Sequence, residues 1–242
     1  MKRPAAGIIS NAVLCMSEII LLEQNLLDFP DPVHALDNPN GLLAVGGDLA
    51  PERLIRAYQS GIFPWYEKDQ PILWWSPDPR SVLLPEWLHI SRNLKKTLKQ
   101  GQFCVTYDQK FHHVIQACSD PRAYSSDTWI TDQMLSAYKE LHRLGYAHSV
   151  EVWQDNELVG GLYGIAMGRV FFGESMFSLR TNASKAGFAC LVEKLSSLGF
   201  QLIDCQVHSA HLASLGAKEI PRTEFLQLLN SHIDNPLQSN WE

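Results

Sequence analysis

The sequence contains no apolar run approaching the ~18 residues that a membrane helix needs, so no segment of it reads as membrane-spanning. Its five cysteines, at 15, 104, 118, 190 and 205, are odd in number and include no C-x-x-C pair. That spacing speaks against a disulfide scaffold or a zinc site, and for thiols kept reduced in a cytoplasmic protein. A P-loop, a dinucleotide-binding glycine turn and a G-x-S-x-G nucleophile elbow are all missing, which leaves the common nucleotide-dependent and serine-hydrolase chemistries without an anchor. The formal net charge of −6 excludes a general nucleic-acid-coating role. The opening, MKRPAAGIISNAVLCMSEIILL, has Lys2 and Arg3. Ser10 and Asn11 nevertheless break its apolar stretch, and Leu14 is too large for a small-residue cleavage site; no export signal is read, and Met16 stands as an alternative start.

With 242 residues, 45% hydrophobic and 19% charged, the chain fits one large domain or two small ones. Aromatic residues and prolines concentrate in one place. Between Gly61 and Arg80, GIFPWYEKDQPILWWSPDPR holds three of the seven tryptophans and four of the thirteen prolines. The prolines exclude an internal helix, and Trp74 and Trp75 cannot share one face of a strand. Large rings on irregular backbone suggest the wall of a site. Cationic residues also cluster: Trp87 to Tyr107 carries Arg92, Lys95, Lys96 and Lys99 without an acidic residue. A solvated helix face and a phosphate-binding patch both account for that pattern.

Helical periodicity predicts helices over Leu49–Ser60, from Ser91 to Gly101, after Asp108 (with Phe111, Val114, Ile115 and Cys118 inward), over Thr131–Leu144 and over Ser184–Leu198. Two-residue alternation predicts strands at His148–Trp153, Glu157–Ala166 and Arg169–Phe177, turning at Asp155-Asn156 and Met167-Gly168, with a further strand at Leu202–Val207 and a helical turn running to Gly216. Three meandering strands, a helix and another strand resemble the core of the GNAT acyltransferase fold. In that fold the strand-to-helix turn cradles coenzyme A pyrophosphate on glycine-rich backbone. Here the turn reads Arg180-Thr181-Asn182-Ala183-Ser184-Lys185, with no glycine. The pattern points to an acyl donor other than coenzyme A.

Glu174 lies between Phe172 and Met176 at same-face spacing, where a carboxylate is costly unless paired. Asp204 and Gln206, two apart in LIDCQV, would project from one strand face, as a buried amide network does and as a site also does. His208 and His211 have metal-ligand spacing but no evident third ligand. His112 and His113 divide between a helix face and solvent.

Across residues 28 to 230 the chain also carries FPDP (29–32), NGLLAVGGDL (40–49), GIFPWY (61–66), ILWWSPDPR (72–80), HISR (89–92), TWIT (128–131), GESMF (173–177), NASK (182–185), LIDCQV (202–207) and HLASLGAKEIPR (211–222). In this order the strings resemble the bacterial leucyl/phenylalanyl-tRNA–protein transferase family. The resemblance implies an enzyme that moves leucine or phenylalanine from its charged tRNA onto the α-amino group of a protein beginning with Arg or Lys, marking that protein for N-degron degradation. It also implies a mixed α+β or α/β fold, a small N-terminal domain packed on a GNAT-like domain. The expected spans are an N-terminal extension over 1–27, partly disordered, a small domain over 28–90, a GNAT-like catalytic domain over 91–235 and a tail over 236–242. The aminoacyl ester is already activated, so neither a cofactor nor a metal is implied.

By the same resemblance, Asp204 and Gln206 orient and deprotonate the attacking amine, with Asp204 either a general base or an electrostatic anchor. Glu174 contacts the cationic acceptor end or supports the reacting groups. Trp65, Trp129, Leu162, Phe171 and Leu191 form the donor's amino-acid pocket. Trp65 stacks on the terminal adenosine, and Arg92, Lys95 and Lys96 hold acceptor-stem phosphates. The expected partners are the 3′ end of leucyl- or phenylalanyl-tRNA and acceptor proteins, with the enzyme a cytoplasmic monomer. Two other readings remain. One is a divergent acyl-CoA acetyltransferase, which tight coenzyme A binding at the Arg180–Lys185 turn would reveal. The other is a tRNA- or peptide-binding adaptor, in which Asp204→Ala would change no activity.

Overall fold

The computed structural model describes residues 19–120, 130–235 and 241. The N-terminal part runs β1 (Ile20–Leu22), β2 (Leu42–Gly46), α1 (Pro51–Gln59), β3 (Phe63–Pro64), β4 (Leu73–Trp75) and β5 (Arg80–Leu83). Then follow α2 (Arg92–Lys99), β6 (Cys104–Tyr107), α3 (Phe111–Ser119) and α4 (Asp132–Arg143). The last part comprises β7 (Ala147–Gln154), β8 (Glu157–Met167), β9 (Val170–Ser178), α5 (Ala183–Ser197), β10 (Leu202–Gln206), α6 (Ala210–Ala213), β11 (Lys218–Ile220) and α7 (Arg222–His232). The strands form two sheets, a four-stranded one ordered β1-β2-β4-β3 and a seven-stranded one ordered β11-β5-β10-β9-β8-β7-β6. The fold is mixed α/β, and the expected order of meander, helix and returning strand is the observed one.

Local chemistry sets the helix ends. Thr131 accepts the amide proton of Met134 at 3.3 Å and starts α4, and Ser91 does the same for Leu94 at 3.2 Å in α2. Pro51 occupies the first turn of α1, where its missing N–H costs nothing. Within α1 the side chain of Arg53 is fully buried. Its guanidinium donates to Asp48 Oδ1 at 3.1 Å and to the carbonyls of Leu26 at 2.6 Å, Glu23 at 3.1 Å and Gln24 at 3.0 Å, tying the entering chain to the small sheet. The β7–β8 turn at Asp155-Asn156 has both residues at positive φ (52° and 63°), the geometry of a tight hairpin.

Helices cover both faces of the large sheet. A Cβ on Gly160 would meet Ala183 of α5, whereas one on Gly161 would meet Val114 of α3, so α5 and α3 lie on opposite sides. One hydrophobic cluster joins Val114, Tyr138, Tyr163, Phe172 and Leu202 with Tyr58 and Trp74 of the small sheet's neighbourhood. A second joins Leu162, Phe171 and Ile203 with Phe188 and Leu191 of α5.

Part of the sequence reading needs correction. The 61–80 run is not irregular throughout, since β3, β4 and the first residue of β5 lie inside it. Trp74 is a fully buried core residue whose Nε1 donates to the Gly46 carbonyl at 2.9 Å, with its ring edge-on to Phe29 at 4.8 Å. Trp75 lies on the opposite face and donates to the Trp65 carbonyl at 2.6 Å. Strands β1, β2, β6 and β11 and helix α7 were not anticipated; β1 lies within the span expected as an extension. Strand β5, within 28–90, pairs in the large sheet between β11 and β10, so the two parts of the chain interlock. Of the 1–27 and 236–242 expectations, residues 1–18, 236–240 and 242 lie outside the described residues.

Helix α5 approaches the sheet closely because Gly187 has no side chain: a Cβ there would sit 2.7 Å from Val152 Cγ2. Gly187→Val is therefore expected to lift α5 from β7 and lower stability by about 2 kcal/mol, measured as a reduced urea midpoint with unchanged slope.

Candidate active site

Two bulges create the site. In β9, Tyr163 pairs with Ser175 and Gly164 with Gly173, so Glu174 is an extra residue without a partner in β8. In β10, Asp204 pairs with Val82 and Gln206 with Ser81, leaving Cys205 as the extra residue. The parallel pairing of β10 to β9 extends only to Asp204 opposite Phe172, and beyond it the strands carry these two bulges. A bulge re-aims side chains that regular alternation would send elsewhere. Gln206 adopts φ 62°, and its amide meets the Glu174 carboxylate across the gap. The same-face arguments for Glu174 and for the 204/206 pair therefore do not hold as stated, because two-residue alternation stops at each bulge.

Glu174 is buried and accepts three hydrogen bonds, from Tyr58 (2.8 Å), Tyr138 (2.9 Å) and the Gln206 amide (3.0 Å). The two hydroxyls are themselves 2.5 Å apart. Burial raises the Glu174 carboxyl to about 7, the charge of Asp204 adds to the rise, and the three donors oppose it. Both tyrosines are pushed well above their ordinary range, first by burial and then by the Glu174 charge, so they remain donors.

Asp204 is fully buried and carries a bidentate ion pair with Arg80, Nε to Oδ1 at 2.8 Å and Nη2 to Oδ2 at 2.6 Å. Asp204 Oδ1 also accepts the backbone N–H of Gln206 at 2.9 Å, which fixes the left-handed residue whose side chain reaches Glu174. The guanidinium lies between the rings of Phe63 (4.8 Å) and Phe225 (4.4 Å).

Glu174 and Gln206 face a chamber of about 790 Å³. Its apolar wall includes Leu162, Phe171, Met176, Phe188 and Ile203, and Trp65 stands at the edge with 42% of its surface exposed. The Trp65 ring leans on Trp75 at 5.7 Å. Among the described residues two carboxylates line the chamber, Glu174 within and the exposed Asp120.

The structure thus brings together Glu174, Gln206, Asp204, Trp65, Leu162 and Phe171. Leu191 is fully buried in the same hydrophobic cluster but stands behind the wall rather than on it. Trp129 lies outside the described residues. Arg92, Lys95 and Lys96 are exposed on α2 and do not line the chamber. Their helix is joined to the turn before α5 by Asn182 Nδ2 donating to Thr97 Oγ1 at 3.4 Å, and that turn borders the lining residues Ser178, Leu179 and Ser184. Among the described residues no group of three or more His, Cys, Asp or Glu side chains could hold a metal ion, and His208 sits 3.4 Å from Glu219.

Three site residues escaped the sequence. Tyr58 and Tyr138 fit the apolar stripes of α1 and α4, and Arg80 reads as the end of the proline-rich run. The one available signal was the chemistry of burial: a phenol or guanidinium in an apolar stripe needs a partner.

The model of the leucyl/phenylalanyl-tRNA protein transferase family matches residues 82–230, and the model of that family's N-terminal domain matches residues 47–78. A leucyl/phenylalanyl-tRNA–protein transferase of Pseudomonas syringae pv. syringae (strain B728a) is 60% identical over 220 residues, 91% of this chain and 96% of that one. Another from Azotobacter vinelandii (strain DJ / ATCC BAA-1303) is 60% identical over 91% of this chain and 97% of its own. Among solved structures, a GCN5-related N-acetyltransferase from Kribbella flavida aligns over 67% of this chain and 58% of its own, with TM-score 0.38 and 10% identity. With two family domains matched in order and relatives 60% identical over nine-tenths of its length, the chain belongs to the leucyl/phenylalanyl-tRNA–protein transferase family.

Proposed function

We propose that the chamber receives the aminoacyl-adenosine end of a charged tRNA and that the Glu174–Gln206–Asp204 network presents an acceptor amine to it. The chain is an aminoacyltransferase that moves leucine or phenylalanine from tRNA to the α-amino group of proteins beginning with Arg or Lys, the mark of an N-degron. The observation that carries the residue assignment is a buried carboxyl with three hydrogen-bond donors inside an apolar chamber.

The reaction is aminolysis of an ester. The amine nitrogen bonds to the carbonyl carbon, the ester C–O bond breaks, and a proton leaves nitrogen for the departing ribose oxygen. An α-ammonium has a pKa of about 8, so an ordinary aspartate near 4 is a poor acceptor for its proton. Glu174, held at about 7, is nearly matched to it and is the proton acceptor and relay in this reading. Asp204, with Arg80 on both oxygens, anchors Gln206. The apolar wall of Leu162 and Phe171 takes the donor side chain, and Trp65 offers a stacking face to the adenine. Trp129 belongs to this pocket and Arg92, Lys95 and Lys96 to the tRNA backbone contacts by the family resemblance alone. Asp120, the other lining carboxylate, favours a cationic acceptor residue.

Purified protein, leucyl-tRNA and a peptide with N-terminal Arg should yield leucyl-peptide, while the same peptide beginning with Glu should not react. Absence of transfer beside an active relative would falsify the reading.

Because Glu174 ionises near 7, transfer should rise with pH through that value, and Glu174→Gln should lower kcat by about 100-fold and erase that limb. The same shift acts on stability. The folded carboxyl binds its proton more tightly than the unfolded one, whose ordinary value is 4.5, so this contribution is complete below about 4.5 and lost as pH rises to about 7. Glu174→Gln should flatten the dependence of the melting temperature on pH in that window.

Lys96→Ala should weaken tRNA binding and reduce the slope of log affinity against log salt by about one, whereas Trp65→Ala should weaken donor use without changing the slope. Equal effects of the two substitutions on the slope would remove the distinction.

A further inference from the structure

The last described residue, Trp241, lies far beyond α7 in sequence terms yet is packed against the back of the chamber. It is 6% exposed and belongs to the same hydrophobic cluster as the wall residues Leu162, Phe171 and Phe188. Its ring stacks on His148 at 4.0 Å and 10°, meets Phe200 edge-on at 6.2 Å and leans on Phe171 at 5.9 Å and 37°. Its carbonyl accepts a hydrogen bond from Lys194 Nζ of α5 at 2.7 Å. His148 is in turn held by Asp108, Nδ1 to Oδ2 at 2.7 Å, and Asp108 Oδ1 accepts the Ser149 N–H at 2.7 Å. The indole is therefore braced by the sheet, by α5 and by a fixed imidazole.

Phe171 is the link to the chamber. Its ring lies over Gly164, where a Cβ would come within 2.6 Å of the ring atoms, and the ring also lines the cavity. With the bare glycine beneath it and Trp241 behind, Phe171 has little freedom to withdraw. Close-packed interiors transmit such constraints, because a side chain cannot retreat into space that another already fills.

We propose that Trp241 is a specificity-determining residue that acts through Phe171: by backing this wall it fixes the depth of the donor pocket and so the ranking of leucine against phenylalanine. The inference rests on the reading of the chamber as the donor pocket. Trp241 touches no substrate and is a positioning residue. Removing its ring lets Phe171 fall back, which enlarges the pocket and favours the bulkier donor.

The test compares kcat/KM for leucyl-tRNA and phenylalanyl-tRNA, with an N-terminal-Arg peptide as acceptor, in the full chain and in Trp241→Ala, Trp241→Leu and Trp241→Phe. The Ala and Leu variants should shift the ratio toward phenylalanine by about tenfold, the discrimination that roughly one methylene's difference in pocket fit supplies. That shift should appear in the KM of the donor and not in that of the acceptor peptide. Trp241→Phe should restore the ratio to within about twofold of the original. A tryptophan that merely supports the fold would lower both donors in proportion, because its loss removes active protein. If Trp241→Ala does not fold, the Leu and Phe variants still report the ratio. A ratio unmoved by every variant that folds, in a chain that transfers both residues, overturns this inference alone. A chain that transfers neither overturns the proposed function, and this inference with it.

Discussion

A guanidinium and a carboxylate meet at the centre of this molecule with 1% and none of their side-chain surface exposed. Arg80 starts β5, Asp204 ends the regular part of β10, and Phe63 and Phe225 close over the guanidinium from β3 and α7. Four elements from opposite ends of the chain therefore converge on one ion pair. Such a pair adds little net stability compared with apolar residues of the same volume, but removing one partner strands the other and costs about 3–5 kcal/mol. One nitrogen, Nη1, has no hydrogen-bond partner, and the guanidinium carbon lies over the two rings. What the pair supplies is position. Asp204 holds the Gln206 backbone, Gln206 holds Glu174, and Glu174 faces the chamber.

The second constraint is the pair of bulges. Regular strands would continue pairing past Asp204 and send alternate side chains to opposite faces. An extra residue in β9 and another in β10 turn Glu174 and Gln206 toward each other in the gap between the strands. The wall beside this point includes Leu162, Phe171, Met176, Phe188 and Ile203. A carboxyl in that setting loses solvation and rises to about 7. The two bulges thus place this buried carboxyl at the chamber.

Much of the frame was legible in the sequence. The helical patterns of α1, α2, α3, α4 and α5, with starts read at Ser91 and Thr131, and the turn at Asp155-Asn156 are local signals, and the elements formed where those signals stand. The short strands β1, β2, β6 and β11 were not legible, because strands of three to five residues carry too few alternations to register. Helix α7 was missed for a similar reason, since its first turn, Arg222-Thr223-Glu224, lacks an apolar stripe. Tyr58 and Tyr138 read as core residues, and their rings are core; only the meeting of α1 with α4 over β9 gives their hydroxyls a common acceptor.

The aromatic run at Gly61–Arg80 divides the same way. Its composition marked an unusual segment, yet Trp74 entered the small sheet's core while Trp65 stayed at the chamber edge. The sequence by itself determined family, the order of meander, helix and returning strand, and the identity of the polar residues Glu174, Asp204 and Gln206, because motifs and periodicities are properties of neighbours along the chain. The tertiary structure alone decided that Asp204 is bound to Arg80, 124 positions away, and that Glu174 meets Tyr58, Tyr138 and Gln206 at the chamber. Such a decision depends on which charges share a buried space, and sequence spacing carries no measure of burial.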